Sequence, residues 1–284
     1  MKEKPLAGIL VVSDVDNTLL TEEAGLPQQN LEAIRRFCAL GGSFTLATGR
    51  NVPSARRYLE KLPINAPVIL LNGGLIYDFE REIPLNAHYI SREKALPVLQ
   101  ELIRQFPAMG FEVMTENLQT YVVRANTGTE KHLRDERFSA VWADAEKVPG
   151  RWFKVLCAAD AATCLAAERY CKAHFSEETE LLFQRTAPIY FEILPTGINK
   201  GTALHSLCRI LGVRQQDSCA IGDYDNDVEL LKAAGFAVAV ANAPARVQRC
   251  ADLVTGSCME GGVAQFLNAL MAQKLGGAKR RNAA

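Results

Sequence analysis

Residues Ile9-Leu10-Val11-Val12 run without a polar interruption into Ser13 and then into two carboxylates, Asp14 and Asp16. A run of this kind offers no polar face to water, so it reads as a strand buried on both faces of a parallel sheet. Side chains at i and i+2 of an extended segment point the same way. Asp14 and Asp16 therefore project together just past the carboxyl end of a buried strand, where open α/β sheets bind ligands. Two bare carboxylates there repel each other. Relief comes from a divalent cation with oxygen ligands, from a proton held on one acid, or from both.

An Asp-x-Asp pair alone is more often a solvated turn than a site, and the rest of the chain decides. A second short apolar strand, Ser218-Cys219-Ala220-Ile221, also ends in a glycine and carboxylates: Gly222-Asp223-Tyr224-Asp225-Asn226-Asp227. A calcium loop of the EF-hand kind fits Asp223, Asp225 and Asp227. It fails where Val228 stands for the required glycine and Ala234 for the final glutamate. An acidic helix start, with Asp227 and Glu229 favoured by the dipole, is compatible with a metal role. Two smaller signals follow. Thr48-Gly49-Arg50 closes the short strand that includes Phe44-Thr45-Leu46-Ala47, and a hydroxyl with a guanidinium at a strand end suits phosphate oxygens. Lys200 opens a helix with apolar residues at Leu204, Leu207, Ile210 and Leu211. A lysine in a first turn opposes the helix dipole, which hints that it serves something anionic.

These four motifs, in this order and spacing, resemble the haloacid dehalogenase superfamily, and within it the Cof-type sugar-phosphate phosphatases. Further likenesses are Leu71-Asn72-Gly73-Gly74, Glu192-Ile193-Leu194-Pro195 and Ala241-Asn242-Ala243. The chain departs from the pattern at Asn17, where glycine is usual, at Tyr224, often a small residue, and at Val240-Ala241, where Met-Gly is common. None of these removes a catalytic side chain; substrate range is what they affect.

The resemblance implies a Mg²⁺-dependent phosphatase acting on small phosphorylated metabolites, sugar phosphates above all, through an aspartyl-phosphate. It makes Asp14 the nucleophile and a metal ligand, Asp223 the second metal carboxylate, and the backbone carbonyl of Asp16 a third ligand. Asp227 would orient metal-bound water or Lys200. Asp16 is cast as general acid and base, Thr48 as a donor to a phosphoryl oxygen, and Lys200 as the charge partner of Asp14. Arg50, Asn72, Asn226 and Asn242 are substrate-side or loop-ordering candidates. A phosphomutase of the same superfamily shares this machinery, and a non-catalytic sugar-phosphate sensor would be expected to lack Asp14 or Asp16.

The strand and helix pattern gives the expected architecture: α/β, a Rossmann-like parallel-sheet core with an inserted α+β cap domain. Strand and helix alternate up to about residue 71, and a hairpin follows. Between residues 86 and 192 helices stand beside consecutive strand pairs, and after Lys200 the strand–helix rhythm returns. The core is expected from 1–85 plus 193–284, with 86–192 as the cap and 276–284 as a disordered tail. Lys+Arg 32 against Asp+Glu 32 gives no basic field for nucleic acid. No apolar run reaches the ~18 residues of a membrane span, and no signal peptide is expected. Eight cysteines without a C-x-x-C read as small buried hydrophobes in a cytoplasmic protein, a monomer or weak homodimer.

Overall fold

The structure is a computed structural model. It describes residues 4–21, 23–136, 139–175 and 180–281, with side chains left aside for 136 and 276–281. The chain divides into two compact units. One comprises Met1–Arg50, Ala55–Asn86 and Asn199–Ala284; the other comprises Asn51–Ser54 and Ala87–Ile198.

The elements run as follows. First come β1 (Leu10–Ser13), α1 (Gln28–Ala39), β2 (Ser43–Leu46), α2 (Val52–Leu59), β3 (Val68–Leu70), β4 (Leu75–Asp78) and β5 (Ile83–Ala87). Next are α3 (Arg92–Gln105), β6 (Gly110–Thr115), β7 (Thr120–Arg124), α4 (Thr127–Glu136), β8 (Ala140–Trp142), β9 (Trp152–Ala158), α5 (Ala161–His174), β10 (Leu181–Ala187) and β11 (Tyr190–Pro195). The chain ends with α6 (Lys200–Leu211), β12 (Ser218–Gly222), α7 (Val228–Ala233), β13 (Phe236–Ala239), α8 (Ala245–Gln248), β14 (Leu253–Val254) and α9 (Gly262–Arg281).

In the first unit the strands lie in the order β14-β13-β12-β1-β2, all parallel. The four residues of β1 are fully buried, as its unbroken apolar run requires. From β1 the chain winds outward to β2, and later returns to β12 on the other side of β1. That reversal is the topological switch point at which open α/β sheets place ligands. The register pairs Ser13 with Ile221, so Asp14 and Asp223 leave neighbouring strands at the same end of the sheet. Leu10, Val12, Ala47, Ile69, Leu204, Leu207, Leu230 and Val247 form the core between this sheet and its helices.

Three features differ from the sequence expectation. β3 is joined to the parallel sheet by an isolated parallel bridge between Ala47, just past β2, and Ile69, and its ladder runs antiparallel to β4. A turn from Leu71 to Gly74 is tight enough to fold the next strand straight back. β8 is an edge strand of three residues, parallel to β7, too short and too exposed to leave a periodic signal. The helix α9 continues through Gly276 to Arg281, where a disordered tail was expected; residues 282–284 lie outside the described residues. A helix already nucleated by its packed amino half propagates cheaply, and Ala, Lys and Arg favour it.

The second unit holds a sheet of order β10-β11-β9-β6-β7-β8, antiparallel except for the β7–β8 pair. Phe111, Val113, Val155, Cys157, Phe191 and Ile193 pack with residues of α3 and α5, among them Leu99, Leu102, Cys164 and Cys171. Cys164 and Cys171, one helix face apart, are packing residues there. All eight cysteines are free thiols. Among the described residues no helix is long and apolar enough to cross a membrane.

Candidate active site

Asp14 follows the last residue of β1, and its backbone N–H donates to the carbonyl of Ile221 on β12 at 2.9 Å. The two strands thus fix the acid before its side chain is considered. Asp223 follows Gly222, the last residue of β12. A Cβ on Gly222 would lie 2.5 Å from the Asp227 side chain, so only glycine lets these acids gather. One ligating oxygen each from Asp14, Asp223 and Asp227 lies within 4.8 Å of the others, and all three residues are buried.

Lys200 is the cation of this cluster. It is the first residue of α6, and Asn199 caps the helix: its Oδ1 accepts from the Thr202 N–H at 2.9 Å, and Thr202 Oγ1 accepts from the Asn199 N–H at 3.1 Å. That box closes the first turn and frees the lysine to point inward. Lys200 Nζ, fully buried, donates to Asp14 Oδ1 at 2.6 Å and to Asp227 Oδ1 at 2.7 Å. Burial works against its charge, yet the carboxylates of Asp14 and Asp227 overcome this and hold the ammonium above its ordinary range. The other oxygen of Asp227 accepts from the N–H groups of Asp223 and Tyr224 at 3.0 and 3.1 Å. Both its oxygens are therefore committed within the protein.

The acids lean the other way. Burial first, then Asp227, Asp223 and Asp16 against the opposing pull of Lys200, push Asp14 well above the ordinary carboxylate range. Burial also lifts Asp223 to about 6, partly offset by a hydrogen bond from Thr18 Oγ1 at 2.6 Å. Three carboxylates share one ammonium, which leaves two negative charges in excess when all are ionised. Oxygen-only donors and surplus charge fit a hard divalent cation.

The remaining expected residues form a second group. Thr48, 1% exposed, accepts at Oγ1 from the Arg50 N–H at 3.2 Å, leaving its hydroxyl proton to donate. Arg50 grips Asp16 with two bonds, Nε to Oδ2 at 3.0 Å and Nη2 to Oδ1 at 2.7 Å. Asp16 is 46% exposed and is not one of the three clustered acids. Its carboxylate is half-exposed and ion-paired. Leu71 and Asn72 both take left-handed backbone, at φ 53° and 54°, followed by Gly73 at 103°. A Cβ on Gly73 would also lie 2.2 Å from the Asn199 carbonyl. This strained corner brings the Asn72 N–H to the Thr48 carbonyl at 3.0 Å and the Asn72 amide oxygen to Asn226 Nδ2 at 3.2 Å.

Asn242 is bonded to backbone groups. Its Nδ2 donates to the Asn17 carbonyl at 2.9 Å, and its Oδ1 accepts from the Cys258 N–H at 2.8 Å. The amide orders the loop behind Asp16. Asn17, where the resembling family usually has glycine, takes φ 64°, and asparagine is among the few residues that tolerate this. Two partners escaped the sequence reading: Thr18 beneath Asp223, and the pairing of Arg50 with Asp16. Thr18 sits inside the quoted motif, but nothing in its spacing says which acid it reaches.

The profile of haloacid dehalogenase-like hydrolases matches residues 11–267. The chain is 27% identical over 286 residues to 5-amino-6-(5-phospho-D-ribitylamino)uracil phosphatase YwtE of Bacillus subtilis (strain 168), covering 92% of this chain and 97% of that protein. It is 25% identical over 267 residues to pyridoxal phosphate phosphatase YbhA of Escherichia coli (strain K12), covering 91% and 97%. Among solved structures, a haloacid dehalogenase-like hydrolase from Bacteroides thetaiotaomicron shares the fold, with a TM-score of 0.81 at 24% identity over 92% of this chain and 99% of that one.

Proposed function

For this chain, which belongs to the haloacid dehalogenase-like hydrolases, we propose a phosphatase that hydrolyses small phosphorylated metabolites through a phosphorylated Asp14. The observation that carries the reading is the fully buried Lys200 bridging Asp14 and Asp227, with Asp223 in the same cluster. A buried lysine held charged beside three acids has little structural purpose, since an apolar cluster of equal volume would stabilise the fold as well. On this reading residues 1–85 and 193–284 form the catalytic core and 86–192 the cap.

Asp14, Asp223 and the carbonyl of Asp16 would hold Mg²⁺, with Asp227 fixing Lys200 and the loop of Asp223. Bound there, the cation would offset the repulsion between a carboxylate and a phosphate dianion. An Asp14 oxygen attacks phosphorus as the bond to the leaving oxygen breaks, and Asp16 gives that oxygen its proton. Water then attacks the same phosphorus and yields a proton to Asp16; the bond to Asp14 breaks and inorganic phosphate leaves. Thr48 donates to a phosphoryl oxygen, and Lys200 balances charge on Asp14 throughout.

Within that class we favour a sugar phosphate, on the likeness to Cof-type enzymes. The names of the two relatives place phosphates of nitrogen heterocycles on the same panel. Phosphate release from both kinds of ester, with Mg²⁺ and with excess chelator, tests the reading. Activity should require the metal, and Asp14→Asn should fold normally while losing at least about 10³ in kcat. Retention of more than a few per cent of the rate in that variant overturns the assignment.

A further inference from the structure

The side chain that grips the Asp16 carboxyl is Arg50. Arg50 takes both of its oxygens in a planar fork, at 3.0 and 2.7 Å, which leaves Asp16 outside the cluster of the other three acids. An arginine stem is flexible, so a fork of fixed direction needs a support. The ring of Tyr58, near the end of α2, supplies one: Arg50 Cζ lies 4.6 Å from its centroid. That is well inside the range of about 6 Å at which a guanidinium over an aromatic face is held. The Arg50 side chain is 16% exposed, so this contact is only lightly screened by water.

We propose that Tyr58 is a positioning residue for the reaction, acting through Arg50 on Asp16. The ring fixes the plane of the guanidinium, and the guanidinium fixes the direction in which the Asp16 carboxyl is presented. This rests on the reading of Asp16 as the group that protonates the leaving oxygen and later accepts the proton of water. Without the ring, Arg50 keeps its charge but its fork is held less firmly, and Asp16 is misaligned for a fraction of the time. The loss falls on the proton-transfer steps. It spares the attack of Asp14 on an ester whose leaving group needs no proton.

Rapid mixing of the Mg²⁺-loaded enzyme with an alkyl and an aryl phosphate tests this. Asp16→Ala sets the reference: the aryl alcohol appears in a burst, and turnover is then slow. Tyr58→Leu should show a milder form, with turnover of the alkyl ester about 2- to 30-fold slower. Its burst rate on the aryl ester should match wild type, and phosphorylated enzyme should accumulate. Tyr58→Phe and Tyr58→Trp, which keep the ring face, should recover what leucine loses. In an Arg50→Ala background Tyr58→Leu should cost nothing further, because both act on one contact. Where the leucine variant fails to fold, Tyr58→Met, of good helix propensity, takes its place. Equal losses on both esters without a burst, or additive losses in the double variant, overturn the proposal. A normal Asp16→Ala signature beside such a result leaves the phosphatase reading intact. An Asp16→Ala enzyme that behaves as wild type overturns both.

Discussion

Each of the two units buries a lysine against carboxylates, and the two clusters are built on different principles. In the second unit Lys154 on β9 donates to Glu192 on β11 at 2.5 Å, with side chains 7% and 4% exposed. That pair is one charge to one charge. In the first unit Lys200 answers three acids, and its two partner oxygens lie at 2.6 and 2.7 Å. A neutral pair is complete by itself and can be exchanged for apolar residues. A cluster with surplus negative charge is incomplete and poised to take up a cation. Burial of a salt bridge thus says little; the charge balance around it separates scaffold from site.

The largest test of that contrast removes each lysine. Lys200→Met should abolish turnover and also cost about 3–5 kcal/mol of stability in chelator, because buried acids lose the ammonium that bridges them. Lys154→Met should cost a similar amount by stranding Glu192, whose Oε2 already has no partner among the described residues. Here the contrast sharpens: adding Glu192→Leu to Lys154→Met should restore most of that loss, as apolar replacement of a neutral pair does. Adding Asp227→Leu to Lys200→Met should not, since Asp14 and Asp223 remain. Chemical denaturation of the four proteins reads this directly. Recovery in both doubles would erase the distinction.

A second test adds cation. Saturating Mg²⁺ at about 100 times its dissociation constant should stabilise the wild type by about 2.7 kcal/mol. The same addition should leave Asp223→Asn nearly unmoved, while the Lys154→Met/Glu192→Leu protein responds like wild type. Thermal melts with and without chelator decide it, and a full response in Asp223→Asn would remove that acid from the metal set.

A third test is in pH. Asp223 is lifted to about 6 chiefly by burial, so its ionised form is disfavoured in the folded chain. Its contribution is fully present below the unfolded value near 3.9 and is lost as pH rises through about 6. In chelator, wild type should therefore lose stability relative to Asp223→Asn between about pH 4 and pH 7, and Mg²⁺ should reverse the order at the upper end. Melting curves across that range that run parallel for the two proteins would contradict the charge surplus.

Much of the site is legible in the chain because its acids are attached to strands. The apolar run of β1 could be buried only on both faces, so the position of Asp14 at its carboxyl end follows from solubility alone. The same holds for Asp223 after β12. Lys200 was legible as a violation, a cation where the helix dipole disfavours one. What spacing cannot carry is the choice among partners. Thr18 follows Asp16 closely in the chain yet bonds Asp223, 205 residues away, and Arg50 bonds Asp16, 34 residues away; only the packed loops send each to its acid. The same limit hid β8 and the Lys154–Glu192 pair, whose members sit 38 residues apart on different strands.

Hydrophobic periodicity and glycine placement act locally, through backbone sterics and the exclusion of water. They settled the α/β core and the end of the sheet where the acids emerge. Hydrogen-bond direction, charge balance and the distances within the acid cluster depend on residues far apart in the chain meeting in one low-dielectric place. That meeting is decided by tertiary packing, and with it the difference between a buried lysine that completes a pair and one that leaves room for a cation.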